Sequence, residues 1–396
     1  MIGMGKALHR PVMALVGIVA LVAACGGDSP TAATLAGETL LVTGGESGQF
    51  TVVDPRRGAV VGHVGPIPRL QDTYVRSPDS TTLYVLAHDA SGGRLLALDI
   101  GALSVRYNKP LPGDGPVVGP PTGFTVYGDY GIAASPDGQR LFIASAVRAT
   151  TSVDTAPGIA VLDATTSAPL GFVGPMWVQP GGLVTLPAGP AAPSGAILVV
   201  GRRYRRAEPS LDWLFTLDPL TLAIVDSIAI VPASNSGGPT LVGVRPAPDR
   251  RNAYVFGVGR FYKYDMVSRT VTASAALPGL GGGVAISPDG QTLYLTDSGD
   301  FFDTPGSGFV YVYDANLTRR DSIDLRSAAV NGLPPATRSA VVSRDGTLLY
   351  VTNGTASRGP LYGTQPSRVL VIDIVSRRIV RVIPLDDWSP GPIFLQ

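Results

Sequence analysis

The sequence predicts an all-β chain: a seven-bladed β-propeller of four-stranded antiparallel blades, closed by its C-terminal strand. Three observations carry that expectation. Short runs rich in Val, Ile, Leu, Thr and Tyr recur along the chain, too short for globular helices and bounded by Gly, Pro and Asp. A turn signature precedes many of them, at Ser77-Pro78-Asp79, Ser135-Pro136-Asp137-Gly138, Ala247-Pro248-Asp249, Ser287-Pro288-Asp289-Gly290 and Ser343-Arg344-Asp345-Gly346. An Asp ends a strand at Asp54, Asp99, Asp163, Asp218, Asp265, Asp314 and Asp373, spaced by 45 to 64 residues. A four-stranded blade needs roughly 40 to 50 residues, so seven markers imply seven blades with the excess in loops.

Each part of the unit has a local cause. A Gly after Asp tolerates the positive φ of a tight turn, so Asp345-Gly346 closes a hairpin before TLLYVTN. The Asp that ends the next strand can accept from backbone amides of the following turn. One such sheet cannot bury both faces alone and requires neighbours of its own kind. Blade one has no inner strand before TLLVTGG, whereas residues 390–396 follow the outer strand of blade seven where an inner strand is due. Closure of the ring by Ile393 to Gln396 is therefore expected, since an open ring exposes unpaired edges. The inner strands of blades two to seven are expected near Thr73, Tyr130, Gly182, Thr240, Gly283 and Ser339. The glycines of GLGGGVAI would let blade six crowd the axis.

The tetrapeptide Tyr350-Val351-Thr352-Asn353, with variants Tyr84-Val85-Leu86-Ala87 and Tyr294-Leu295-Thr296-Asp297, resembles the repeat of the YVTN β-propeller family. The resemblance spans about Glu38 to the C-terminus and implies fold, not activity, because propellers serve unrelated purposes. Blade four departs most, its first turn reading PAGPAAPSGA.

The N-terminus reads differently. Lys6, His9 and Arg10 precede a short apolar run that ends in Val22-Ala23-Ala24-Cys25. This is the pattern of a signal peptide, too short to span a bilayer comfortably. It resembles a bacterial lipobox, which implies cleavage before Cys25 and its diacylation. Residues 1–24 are then the signal, 25–37 a flexible tether, and 38–396 the propeller. Gly26, in place of an Asp after the lipidated Cys, resembles the outer-membrane rather than the inner-membrane pattern. The expected location is extracytoplasmic, with the membrane as partner through the lipid on Cys25. Cys25 is the only cysteine, so no intrachain disulfide forms. A net charge of +1 without an extended basic tract argues against nucleic acid. A monomer is expected.

Antiparallel order puts the Pro-Asp-Gly and strand-ending Asp turns on one face. The connections between second and third strands, and between blades, share the other, which holds the long excursions. Binding is expected on that long-loop face. Its densest feature is Arg202-Arg203-Tyr204-Arg205-Arg206 with Trp213, suited to carboxylates, phosphates or acidic sugars with aromatic stacking; a solvated arginine-rich surface is the plainer alternative. Tyr130 and Arg338 are expected at the funnel rim. Asp297, Asp300 and Asp303 offer three carboxylates, but not at the spacing of a calcium loop, so no metal is assigned. His63 and His88, the histidines left after the signal, have no second ligand at metal spacing. No G-x-S-x-G elbow is present, and neither catalytic residue nor cofactor is assigned. The sequence thus favours a module that binds an envelope protein or glycan. The alternative is an enzyme resembling propeller lactonases or quinone-linked dehydrogenase subunits, whose motifs have no residue-by-residue match here.

Overall fold

The computed structural model describes residues 38–395 apart from 45–47, 66, 68–69, 90–91, 112–130, 147–156, 175, 190–191, 193, 204–211, 232–240, 298–305, 331, 355–366 and 386–389. Seven four-stranded antiparallel blades form a ring. In blade seven, Thr337–Val342, Leu348–Asn353, Arg368–Asp373 and Arg378–Pro384 run in order from the axis outward. Blades five and six share one extended strand, Thr270–Ile286. It is the outer edge of blade five and then the inner strand of blade six.

Closure follows the sequence expectation, with a longer strand. Pro390–Leu395 pairs antiparallel with Leu40–Gly44, Leu395 opposite Leu40 and Ile393 opposite Val42. Blade one is therefore assembled from both ends of the chain.

Every strand in the middle of a blade is apolar on both faces because both faces are covered. Leu41, Phe50 and Val52 pack toward blade two, while Leu40, Val42 and Val53 pack toward Tyr350, Val369 and Val371 of blade seven. The described residues form a separate apolar cluster at each of the seven blade interfaces. Tyrosine hydroxyls bridge the same seams. Tyr254 of blade five donates to Ala315 O of blade six (3.1 Å), and Tyr350, the first residue of the YVTN tetrapeptide, donates to Glu38 Oε2 (2.7 Å).

The inner strands approach closely, as the glycines imply. A Cβ on Gly283 would lie 3.1 Å from Arg338 O in blade seven, and one on Gly131 would lie 3.0 Å from Leu183 Cβ in blade four.

Candidate functional site

On the turn face, short polar residues hold nearly every corner. In blades two, six and seven a serine hydroxyl donates to the turn aspartate at 2.5–2.6 Å and accepts the amide five residues on: Ser77 with Asp79, Ser287 with Asp289, Ser343 with Asp345. Ser135 and Asp137 repeat the arrangement in blade three. The Ser343 hydroxyl, followed by the Thr347 amide, holds the Asp345 carboxyl down at about 2. The seven strand-ending aspartates each accept from backbone amides of their turn, as Asp163 does from Thr165 and Thr166.

Adjacent corners touch through a proline on one and a glycine on the next. Pro78 faces Gly138, Pro136 faces Gly195, Pro248 faces Gly290 and Pro288 faces Gly346. Blade one cannot join this belt, because its inner strand comes from the other end of the chain and no turn links it to Leu40–Gly44. There the proline position of blade seven is Arg344. The gap is a recess of about 360 Å³ lined by Arg76, Ser80, Thr81 and Arg106 of blade two and by Arg344, with Asp99 at one side. Asp99 accepts the Ala102 amide, which, followed by Arg106 at 3.0 and 2.7 Å, holds its carboxyl below the usual range. Burial, and then the positive charge of Arg344, pull the Arg76 guanidinium down from its ordinary value. Glu38 Oε1 accepts the Arg344 amide (2.8 Å).

On the opposite face, the ends of the long connections of blades six and seven are fastened by a buried polar lattice. Arg368 is 9% exposed; its Nε and Nη2 donate to Asn353 Oδ1 (3.1 and 2.7 Å) and Nη2 also donates to Ala328 O (2.9 Å). Asn353, fully buried, donates through Nδ2 to Ala336 O (3.2 Å). Burial lowers the Arg368 pKa. Beside it, the Thr337 hydroxyl bridges the amide and carbonyl of Asp297, and Asp297 Oδ2 accepts the Ser307 amide at 3.0 Å. Residues flanking three connections, 298–306, 327–336 and 354–366, are thus held before those connections begin.

Six of the seven inner strands also shift register near this face, at Val42/Gly44 against Pro390, Leu70/Tyr74, Val178/Leu183, Leu241/Gly243, Gly281/Val284 and Thr337/Ser339. Such bulges re-aim side chains at a rim.

The residues singled out in the sequence distribute as follows. Arg338 is the bulged residue of blade seven's inner strand, half-buried, beside Gly283. Trp213 is half-buried in the interface between blades three and four, its ring stacked on Phe215 at 6.1 Å. Arg202 and Arg203 end a strand, Ala196–Arg203, with Arg202 opposite Asp212. Tyr204, Arg205, Arg206, Tyr130, Asp300, Asp303 and Cys25 lie outside the described residues. Asp297 serves the loop tie, and among the described residues no group of three or more His, Cys, Asp or Glu is placed to hold a metal. Sequence reasoning missed Arg368, Arg76 and Arg344. Asn353, last residue of the YVTN tetrapeptide, was the available signal for the first; the replacement of proline by Arg344 was the signal for the others.

No protein-family profile matches the chain, and no curated protein matches it. Solved structures do resemble it. A Lactobacillus plantarum protein superposes with a TM-score of 0.59 at 13% identity over 91% of this chain and 99% of that one. Kuenenia stuttgartiensis hydrazine synthase gives 0.56 at 16% over 85% and 92%. The dihydro-heme d1 dehydrogenase NirN gives 0.53 at 14% over 93% and 79%. At these identities the likeness is one of fold.

Proposed function

We propose that this chain is an extracytoplasmic propeller of the YVTN-repeat type, anchored by lipid on Cys25 to the bacterial outer membrane, which binds an envelope protein or glycan through its long-loop face. The observation that carries this reading is the lattice of Arg368, Asn353, Thr337 and Asp297 beneath that face. Burying a guanidinium and an amide is costly unless every donor is used, and a scaffold gains nothing from it unless the loops above need fixed stems. Rigid stems lower the ordering entropy that binding loops otherwise lose on contact. The arginine-rich stretch 202–206, which the sequence assigns to the long-loop face, would supply cations suited to carboxylates or acidic sugars.

The test is crosslinked recovery of partners from the native envelope. Wild type is compared with a chain carrying Ala at Arg202, Arg203, Arg205 and Arg206, and with one in which residues 355–366 are replaced by a Gly-Ser linker. Loss of a specific partner in either variant supports the reading; identical recovery from all three removes the long-loop face from it. Anchoring is tested separately, by labelled palmitate incorporation that a Cys25→Ala chain must lose.

A further inference from the structure

The buried lattice at the stem of blade seven encloses a reactive pair. Asn353 is followed by Gly354, the residue that least hinders attack of its own backbone nitrogen on the preceding side chain, because it has no Cβ. In that reaction Gly354 N loses its proton and bonds to Asn353 Cγ, ammonia leaves from Cγ, and a five-membered succinimide results. Water then opens the ring at either carbonyl, giving aspartate or isoaspartate. Water is the only co-reactant.

The fold opposes each step. Asn353 is fully buried and ends the strand Leu348–Asn353, paired with Thr337 on one side and Arg368 on the other. The attacking nitrogen and the leaving amide are tied to the same carbonyl: Gly354 N donates to Ala336 O at 3.4 Å, and Asn353 Nδ2 donates to it at 3.2 Å. Arg368 pins the remaining atom, Oδ1, with two bonds of 3.1 and 2.7 Å. Those two donors also polarise the side-chain carbonyl and would stabilise the oxyanion of the attack. Polarisation counts only once the nucleophile is in place, and ring closure requires Asn353 to leave the strand conformation and its side chain to turn. The same bonds forbid both movements, so position outweighs activation.

We propose that Asn353-Gly354 is a self-modifying deamidation site held shut by the bonds of Arg368, Asn353 and Ala336, so that conversion occurs only when the stem of the 355–366 connection opens. The change is then permanent. Aspartate keeps acceptors for Arg368 but has no proton for Ala336 O. Isoaspartate adds a methylene to the main chain at the end of a paired strand. Copies whose stem has opened are thereby marked and left with a loosened stem.

Purified protein is aged at mildly alkaline pH in heavy-oxygen water, folded and in urea, then digested in acid; the peptide containing residue 353 is resolved into asparagine, aspartate and isoaspartate by mass spectrometry. Labelled conversion is expected in urea, and at least about a hundredfold more slowly in the folded protein. Folded Arg368→Met should convert at least about tenfold faster than folded wild type, and Gly354→Ala should slow the conversion in urea. Equal rates in folded and unfolded wild type overturn the lock, and that comparison needs no variant. A folded Arg368→Met chain that converts no faster than wild type overturns the part given to Arg368. An unchanged rate for Gly354→Ala in urea overturns the cyclisation.

Discussion

Across the seam between blades seven and one, beside its apolar cluster and the bonds of Arg381 to Pro55 O and Arg56 O, one carboxylate bridges two groups of blade seven, and Glu38→Ala tests how much that contact contributes. Glu38 Oε2 accepts from Tyr350, whose ring is fully buried, and Oε1 accepts from the Arg344 amide. Burial, reinforced by the Glu38 bond, raises the Tyr350 pKa, so the hydroxyl stays protonated and needs an acceptor. Removing the carboxylate strands a buried donor and breaks a charge-assisted bond, a loss of about 2.5 kcal/mol. Tyr350→Phe removes the donor but leaves Glu38 its amide partner, and should lose about 1.5 kcal/mol. With the acceptor gone, losing the hydroxyl as well adds little, so the double variant should lose about 2.5 kcal/mol, a coupling of about 1.5 kcal/mol. The assay is urea unfolding of the four proteins followed by tryptophan fluorescence. Losses in the double variant that equal the sum of the singles within about 0.4 kcal/mol would refute the bond as a joint of the ring.

Three further outcomes follow from the described geometry. The carboxyls of Asp79, Asp137, Asp289 and Asp345 are each held below the usual value, first by a serine hydroxyl, so the folded chain binds fewer protons than the unfolded one. Their stabilisation is complete above the unfolded carboxylate value of about 4 and is lost as pH falls toward about 2; in a pH series of urea midpoints, Ser343→Ala should make that decline shallower. Asn353→Ala removes the principal acceptor of a buried guanidinium and should lower stability by about 3 kcal/mol in urea, while Arg368→Met in the same background restores part of the loss. Ser367→Ala should be neutral or stabilising by up to about 1 kcal/mol, because the buried Ser367 hydroxyl has no hydrogen-bond partner among the described residues; a loss above about 1 kcal/mol would reveal a partner for it.

What could be read in the sequence was what local chemistry decides. Asp54 and its six counterparts announce their turns because the bonds they accept come from amides two to four residues away. The closing strand was legible by elimination, since blade one lacked an inner strand and the residues after Pro384 had no other sheet to join; its start at Pro390 was not, because a strand boundary depends on the partner's register. Turn glycines were a partial guide. Ser80 and Arg250 take the positive φ that Gly138, Gly290 and Gly346 adopt at the same position. The site features were hidden for a different reason. Arg368 meets Asn353 across a long connection, and Arg76 meets Arg344 only because the ring brings blade seven round to blade two. Residues far apart in sequence acquire a joint chemistry only when the number of blades and the closing strand are both fixed.

The proposed function assigns binding to the long-loop face, and blocking each face in turn tests that most directly. In a Cys25→Ser background, Ser327→Cys on the long-loop face and Ser376→Cys on the turn face each offer one exposed thiol for a bulky maleimide. Crosslinked recovery of partners from envelope extracts should be lost with the label at 327 and kept with the label at 376; equal recovery from both, or loss only at 376, would contradict the assignment of binding to the long-loop face.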